Sequence, residues 1–211
     1  MEPPASPTSR LSLVELGPKA QRTVSAILES FRVNLVEKGY GATSIDDITS
    51  LAGVSRATFY TYFPTKGDAL LAIGRDATIA ARAAIVALDL LPDPWSESDL
   101  AQWLDQNLGF LDTFGNLGLT WSQATAEDPE LRHASMATHL ETCRLLGVKL
   151  NSLRPSPLAD DTQFGLLVLS MLERTWIQQR LYEPTVATRD VIDAAAQILA
   201  QLLSGQFPKR V

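Results

Sequence analysis

Two short helix-period segments separated by only Ala52-Gly53-Val54 are the feature that most constrains this chain. Helices of seven to nine residues are not stable in water by themselves, so both must lie against something longer. The segment before them supplies it. Val24, Ile27, Leu28, Phe31 and Leu35 recur at three and four residues from about Pro18, while Arg22, Glu29, Arg32 and Lys38 occupy other faces, and Gly39 is placed to stop the helix. Ser44 with Asp47 has the spacing of a capping box and opens the first short helix, with Ile45, Ile48 and Leu51 on its apolar side. Ser55 is positioned to cap the second, which ends near Tyr62 because Pro64 disfavours helical geometry in the residue before it. Thr65 and Asp68 repeat the capping-box spacing and predict a long helix from there to about Leu90, before Pro92 and Pro94.

Further helices are predicted at about 97–114, 116–126, 129–151, 160–182 and 188–204, with Asp128 capping the third of these and Pro129 in its first turn. No segment shows convincing period-two alternation, so the expected fold is all-α. A length of 211 residues with 45% hydrophobic composition can bury a core without staples. Cys143, the single cysteine, excludes an intramolecular disulfide and fits a reducing compartment. The longest apolar run, Phe164 to Leu172, is broken by Glu173 and is too short to span a bilayer, and Met1 to Arg10 is proline-rich and polar, unlike a signal sequence. The expectation is a cytoplasmic protein without membrane attachment. The division expected is a mobile arm over 1–17, a helix-turn-helix domain over 18–75 with its motif at about 44–63, and a helical body over 76–211.

A net charge of −6 argues at first against nucleic acid. The charge is uneven, however: residues 1–75 carry eight Lys/Arg against seven Asp/Glu, and the rest carries ten against seventeen. An acidic body joined to a near-neutral module is compatible with salt-sensitive DNA binding, and the decision falls to local pattern.

Two short helices joined by a glycine turn after a longer helix describe a DNA-binding helix-turn-helix. Gly53 suits the turn because glycine alone enters left-handed geometry without strain. On the second short helix, Phe59 and Phe63 lie four apart and anchor into the core, leaving Arg56, Ala57, Thr58, Thr61 and the hydroxyls of Tyr60 and Tyr62 outward. Such a face offers a guanidinium for guanine, a methyl-sized contact for thymine and hydroxyls for phosphates. A core-forming bundle with a solvated Arg56 and Lys66 is the bland alternative.

The run Ala-Gly-Val-Ser-Arg-Ala-Thr-Phe-Tyr-Thr-Tyr-Phe-Pro-Thr-Lys-Gly-Asp-Ala-Leu, Ala52 to Leu70, resembles the signature of the TetR family of transcriptional regulators. Ile27-Leu28, Phe31, Gly39-Tyr40 and Thr43 to Ile48 agree with it in spacing, so the likeness covers residues 21 to about 75. The resemblance implies an N-terminal three-helix DNA-binding module and a helical body, with Arg56, Ala57, Thr58 and Thr61 meeting bases and Ser44, Ser55, Tyr60, Tyr62 and Lys66 holding phosphates. Lys66 also makes physical sense at a helix N-terminus, where amides and dipole already attract an anion.

The same resemblance implies a homodimer built on the last two helices, where Phe164, Leu167, Val168, Met171 and Leu172 face one way and Val191, Ile192, Ala195, Ile198, Leu199, Leu202 and Leu203 form a broad stripe. It implies double-stranded DNA with a palindromic operator as partner, and a small hydrophobic effector held in the body. Trp103, Asn107, Phe110, Phe114, Trp121, Gln123, Met171, Thr175 and Trp176 are the pocket candidates, against the plain reading of aromatic residues as core. Trp103 to Phe114 and Met171-Leu172-Glu173-Arg174-Thr175 are similar to the ethionamide-type repressor branch, with Leu172 replacing a polar position. A regulator with no small-molecule response stays open beside this one. His139 and Cys143 share a helix face but have no third ligand at useful spacing, and phosphate-cradling, nucleophile-elbow and zinc motifs are missing, so neither enzyme, metal nor cofactor is expected.

Overall fold

The computed structural model describes residues 16–181 and 188–205, excluding the side chains of 107–116 and 180–181. The described residues form helices joined by short connections: α1 (Pro18–Ala42), α2 (Ile45–Ala52), α3 (Arg56–Tyr62), α4 (Lys66–Val86), a 3-10 turn (Ala87–Leu90), α5 (Glu97–Glu127), α6 (Pro129–Ser152), α7 (Asp161–Leu181) and α8 (Thr188–Ser204). The all-α expectation holds. Residues 1–15, which include most of the predicted arm, lie outside the described residues.

Local chemistry explains most boundaries. Gly39 sits inside α1 at φ 77° and ψ 174°, so the stop predicted there is a break, beyond which one more turn leads to Ala42. Ser44 and Asp47 form both halves of the capping box at α2, and Gly53 closes that helix in left-handed geometry at φ 66° and ψ 31°. Ser55 accepts the Thr58 amide at α3, and Thr65 and Asp68 cap α4 reciprocally. Ser96 and Asp99 make a further box at α5, Asp128 accepts the Leu131 amide at α6, and Asp160 accepts the Gln163 amide at α7. Six successive helix starts are thus closed by a short polar side chain, each cap contributing about 1 kcal/mol.

Two expectations fail. The predicted break between 114 and 116 does not occur: α5 runs unbroken through Gly115. A single interior glycine costs a helix only about 1 kcal/mol, and with no proline nearby that cost is too small to end it. The fourth helix stops at Val86 instead of reaching Leu90, the last four residues tightening into a 3-10 turn before Leu91. Among single positions, Leu51 is exposed, because the buried side of α2 centres on Ile48 and Thr49.

The chain divides into two compact units, one of residues 1–77 and 119–135, the other of 78–118 and 136–211. In the first, Ile27 and Phe31 of α1, Ile48 of α2, Phe59 of α3, and Leu70 and Ile73 of α4 are fully buried. Polar groups inside this core are paired: Ser30 donates to the Ile48 carbonyl at 2.7 Å and Asn34 to the Ser30 carbonyl at 2.9 Å. The Trp121 ring from α5 lies on Gly74 of α4, where a Cβ would come within 2.7 Å of it.

In the second unit, Leu100 and Leu104 of α5, Leu146 and Leu150 of α6, Val168 of α7, and Ile192, Leu199 and Leu203 of α8 share one core. Here α6 and α7 cross backbone on backbone. A Cβ on Gly147 would fall on the Asp161 carbonyl, and one on Gly165 would fall on the Cys143 carbonyl and 2.7 Å from the Gly147 amide nitrogen. Asn151, buried at the end of α6, donates to Asp161 at 2.6 Å and accepts the Leu158 amide at 2.9 Å, which fixes the connection into α7.

Gly165→Ala is expected to cost more than about 3 kcal/mol, the upper end of ordinary overpacking, because the obstacle is backbone. Gly118→Ala, where an added methyl meets nothing within 4 Å, should be neutral or stabilise by up to about 1 kcal/mol. Urea denaturation of the two variants reads both, and equal midpoints would refute the close crossing.

Candidate nucleic-acid interface

The face of α3 is set by what its other face buries. Phe59 is wholly inaccessible and Phe63 is 6% exposed, their ring centroids 5.7 Å apart. With that side committed, Arg56, Ala57, Tyr60 and Thr61 stand exposed, while Thr58 and Tyr62 are half-buried at the edges. Ser44 and Ser55, at the starts of α2 and α3, are exposed as well. Arg56 is tied back to α2 through Asp46, and Lys66 bonds the Thr43 carbonyl, next to Ser44.

The polar groups on this face are already engaged. Arg56 Nη1 donates to Asp46 Oδ1 at 2.8 Å and Nη2 to the Tyr60 hydroxyl at 3.5 Å, so the guanidinium spans from α2 to the next turn of α3. The Thr61 hydroxyl donates back to the Ala57 carbonyl at 2.9 Å, leaving its methyl as the group turned outward. Ser55 and Thr58 hydroxyls are 2.9 Å apart. Ser44 donates to Asp47 at 2.6 Å, and Asp47 also accepts Lys38 Nζ at 2.6 Å. The Lys38 ammonium, with the Ser44 hydroxyl and amide, holds the Asp47 carboxyl well below the usual carboxylate range.

Lys66 is the departure. Its ammonium, half-buried, donates to the carbonyls of Tyr40 at 2.7 Å and Thr43 at 2.9 Å, and lies 4.1 Å from the centre of the Tyr40 ring. It serves as a cation on the end of α1, where the Tyr40 carbonyl also accepts the Thr43 amide at 3.3 Å. Burial pushes its pKa down, and Glu127 and Asp128 push back. An ammonium has three donors, so one remains beyond these two bonds.

Sequence reasoning placed Asp128 as a cap and Tyr40 at the end of α1 but missed their pairing. The Tyr40 hydroxyl donates to Asp128 Oδ2 at 2.8 Å across 88 residues of sequence, and no local pattern could have paired them. Burial, and then Asp128, raise the Tyr40 pKa far above its ordinary value, so the phenol stays a donor. The Leu131 amide, followed by the Tyr40 hydroxyl, the Glu130 amide and the charge of Lys66, outweighs burial and holds Asp128 ionised.

The pocket candidates fall in both units. Trp121 and Gln123 fall in the first unit, Trp121 against Gly74 and Gln123 exposed. Trp103, Met171, Thr175 and Trp176 fall in the second, with Trp103 and Trp176 buried. The Trp103 indole donates to the Ala84 carbonyl at 2.9 Å, and the Thr175 hydroxyl to the Met171 carbonyl at 2.7 Å. The side chains of Asn107, Phe110 and Phe114 lie outside the described ones. An open groove of about 300 Å³ runs along α1, lined by Glu29, Arg32, Val33, Val36 and Glu37, none of which is a pocket candidate. Among the described residues no group of three or more His, Cys, Asp or Glu is placed to hold a metal ion, and no helix is long and apolar enough to cross a membrane.

Comparison with known proteins places this geometry. Residues 27–73, from the middle of α1 to the first turns of α4, match the family model for bacterial regulatory proteins of the tetR family. Over 85 residues the chain is 36% identical to the TetC protein of transposon Tn10 from Escherichia coli; that match takes in 39% of this chain and 43% of the relative, so it spans less than half of the relative's length. The fold extends further. PfmR, a TetR-family regulator from Thermus thermophilus, superposes with a TM-score of 0.61 at 24% identity over 82% of this chain and 96% of its own. The fatty acid degradation regulator FadR from Bacillus halodurans gives 0.67 at 18% over 88% and 96%, and LfrR from Mycobacterium smegmatis, solved with proflavine, gives 0.57 at 20% over 86% and 96%. The segment around the helix-turn-helix thus matches the tetR family of bacterial regulatory proteins in sequence, and the helical fold is shared with TetR-family regulators over most of the chain's length.

Proposed function

We propose that this protein is a transcriptional repressor that binds a palindromic operator as a homodimer through α3 and is released by a small hydrophobic ligand. The observation that carries the reading is the division of α3: Phe59 and Phe63 in the core, and Arg56, Ala57, Tyr60 and Thr61 on the open side. Arg56 reads a guanine edge, and Ala57, Thr58 and Thr61 supply methyl-sized contacts to bases. Ser44, Ser55, Tyr60, Tyr62 and the third donor of Lys66 hold phosphates, fixing register without carrying sequence. A single seven-residue helix touches few base pairs, whereas a two-fold dimer sets two of them about 34 to 36 Å apart in successive major grooves.

The dimer contact we assign to α7 and α8. Their apolar stripes divide into a buried half, with Val168, Leu172, Ile192 and Leu199, and an exposed half, with Leu166, Leu167 at 71% and Ile198 at 48%. A soluble monomer gains nothing from such exposure, and a copy of the same surface covers it. The ligand site we assign to the aromatic residues of the body, in keeping with the proflavine bound by the fold relative LfrR. A second reading, a regulator with no small-molecule response, is favoured by one observation: the indole of Trp103 and the hydroxyl of Thr175 already donate to carbonyls of their own fold.

Fluorescence anisotropy on duplexes from the flanking DNA of the chain's own gene, with a scrambled control and a salt series, tests the proposal. Preference for one duplex that weakens as salt rises supports it, and equal weak binding to all duplexes overturns it. Arg56→Ala should relax preference at a single base pair by about 1 to 3 kcal/mol while leaving thermal stability nearly unchanged, since the Asp46 pair is exposed. Lys66→Met should flatten the salt slope by about one and also lower stability by about 1 to 3 kcal/mol, because two carbonyls lose a charged donor; a change in slope alone would mean that the contacts to Tyr40 and Thr43 contribute nothing. In sedimentation, Leu167→Glu should shift the protein to monomer and abolish operator binding, and an intact dimer would move the interface elsewhere.

A further inference from the structure

Asp128 stands where α5 gives way to α6, and both of its carboxylate oxygens are in use. Oδ1 accepts the Leu131 amide at 3.0 Å and caps α6, while Oδ2 accepts the Tyr40 hydroxyl at 2.8 Å. A cap needs only the first of these bonds. The second ties the junction to the last turn of α1, and from there the contacts continue: the Tyr40 carbonyl and ring hold the ammonium of Lys66, the first residue of α4, four positions after the end of α3. Close approach is built in. A Cβ on Gly41 would come within 2.6 Å of Glu127 Oε2, and one on Gly67 would lie 3.5 Å from Asp128 Oδ2 and 3.7 Å from the Tyr40 hydroxyl. All of these residues belong to the first compact unit, and α5 and α6 both continue beyond it.

We propose that the Tyr40–Asp128 hydrogen bond is a latch by which the α5–α6 junction holds the reading helix α3 in place, making Tyr40 and Asp128 positioning residues for DNA recognition. The proposal rests on the reading of α3 as the DNA-reading element. A hydroxyl-to-carboxylate bond is among the stronger single contacts available, and here it is part-buried. Its geometry asks the junction to stay within hydrogen-bond reach of Tyr40. Any displacement of the start of α6 therefore lengthens this bond first and withdraws support from Tyr40, Lys66 and the end of α3 in turn.

The test uses the full chain and the variants Tyr40→Phe, Asp128→Ser and the two combined. Serine keeps the α6 cap but is too short to reach Tyr40, and phenylalanine keeps the ring under Lys66. Amide hydrogen exchange gives a readout that does not involve DNA. Residues 56–66 should exchange faster in each variant while α7 and α8 remain as in the wild type, and unchanged exchange at 56–66 would overturn the latch. Anisotropy on the duplex preferred by the wild type should show each single variant weaker by about fivefold or more, with an unaltered salt slope and with the double variant no worse than either single. Independent, additive losses, or affinities equal to the wild type, would overturn the proposal. If Tyr40→Phe fails to fold, Asp128→Ser carries the test. Should the wild type itself fail to distinguish duplexes while exchange at 56–66 responds as expected, the DNA reading is what has failed, and the latch falls as a device for recognition.

Discussion

A helix of seven residues has no standing of its own, and the outward face of α3 exists only because the Phe59 ring is completely enclosed. Burial of a phenylalanine stabilises by about 1.5 to 3 kcal/mol, less than the about 1 to 2 kcal/mol per residue that ordering seven residues costs, so Phe59 acts together with the core and caps around it. The rest of the first unit serves that enclosure. Ile27, Phe31 and Ile48 are buried in the same unit, Phe63 lies 5.7 Å from Phe59 between ring centroids, Gly53 turns the chain into α3, and Pro64 follows its end before the chain enters α4. Every outward group on α3 takes its direction from a ring that no solvent touches.

The same magnitudes decide whether the pairing of Arg56 with Asp46 closes the interface or prepares it. An ion pair 55% and 65% exposed is worth about 0.2 to 1 kcal/mol, less than the 1 to 3 kcal/mol of a good bidentate contact to a base. Under the proposed reading, Asp46 therefore yields to guanine. Until it does, it keeps a long flexible side chain extended along α3 with its fork near the Tyr60 hydroxyl, reducing what must be ordered on binding. Lys66 follows different logic: half-buried and bonded to two carbonyls, it does not swing freely toward a ligand.

Local chemistry was legible and distant chemistry was not. The helix starts at Ser44, Ser55, Thr65 and Asp128 follow from side chains that can reach an amide three residues on, and the turn at Gly53 from a conformation that favours glycine. The division of α3 into Phe59 and Arg56 faces follows from helical periodicity alone. By contrast, the unbroken α5 required weighing one glycine against a 31-residue helix, and the early end of α4 turned on the choice between two helical forms of the same four residues. Tyr40 meeting Asp128, Trp121 lying on Gly74, and residues 119–135 joining the first unit are consequences of topology, for which a pattern of three or four residues carries no signal. The apolar stripes of α7 and α8 were visible, but not which half faces inward.

The crossing of α6 and α7 has a mechanical meaning. With Gly147 against Asp161 and Gly165 against Cys143, each helix rests in the other's backbone, where no side chain can rotate to absorb a displacement. Two such helices cannot slide or roll on each other without first separating, so they travel together as a single stiff beam. A deformation imposed anywhere along α7 is then delivered undiminished along α6 as far as their contact extends, and adjustment within the second unit has to be found at other seams.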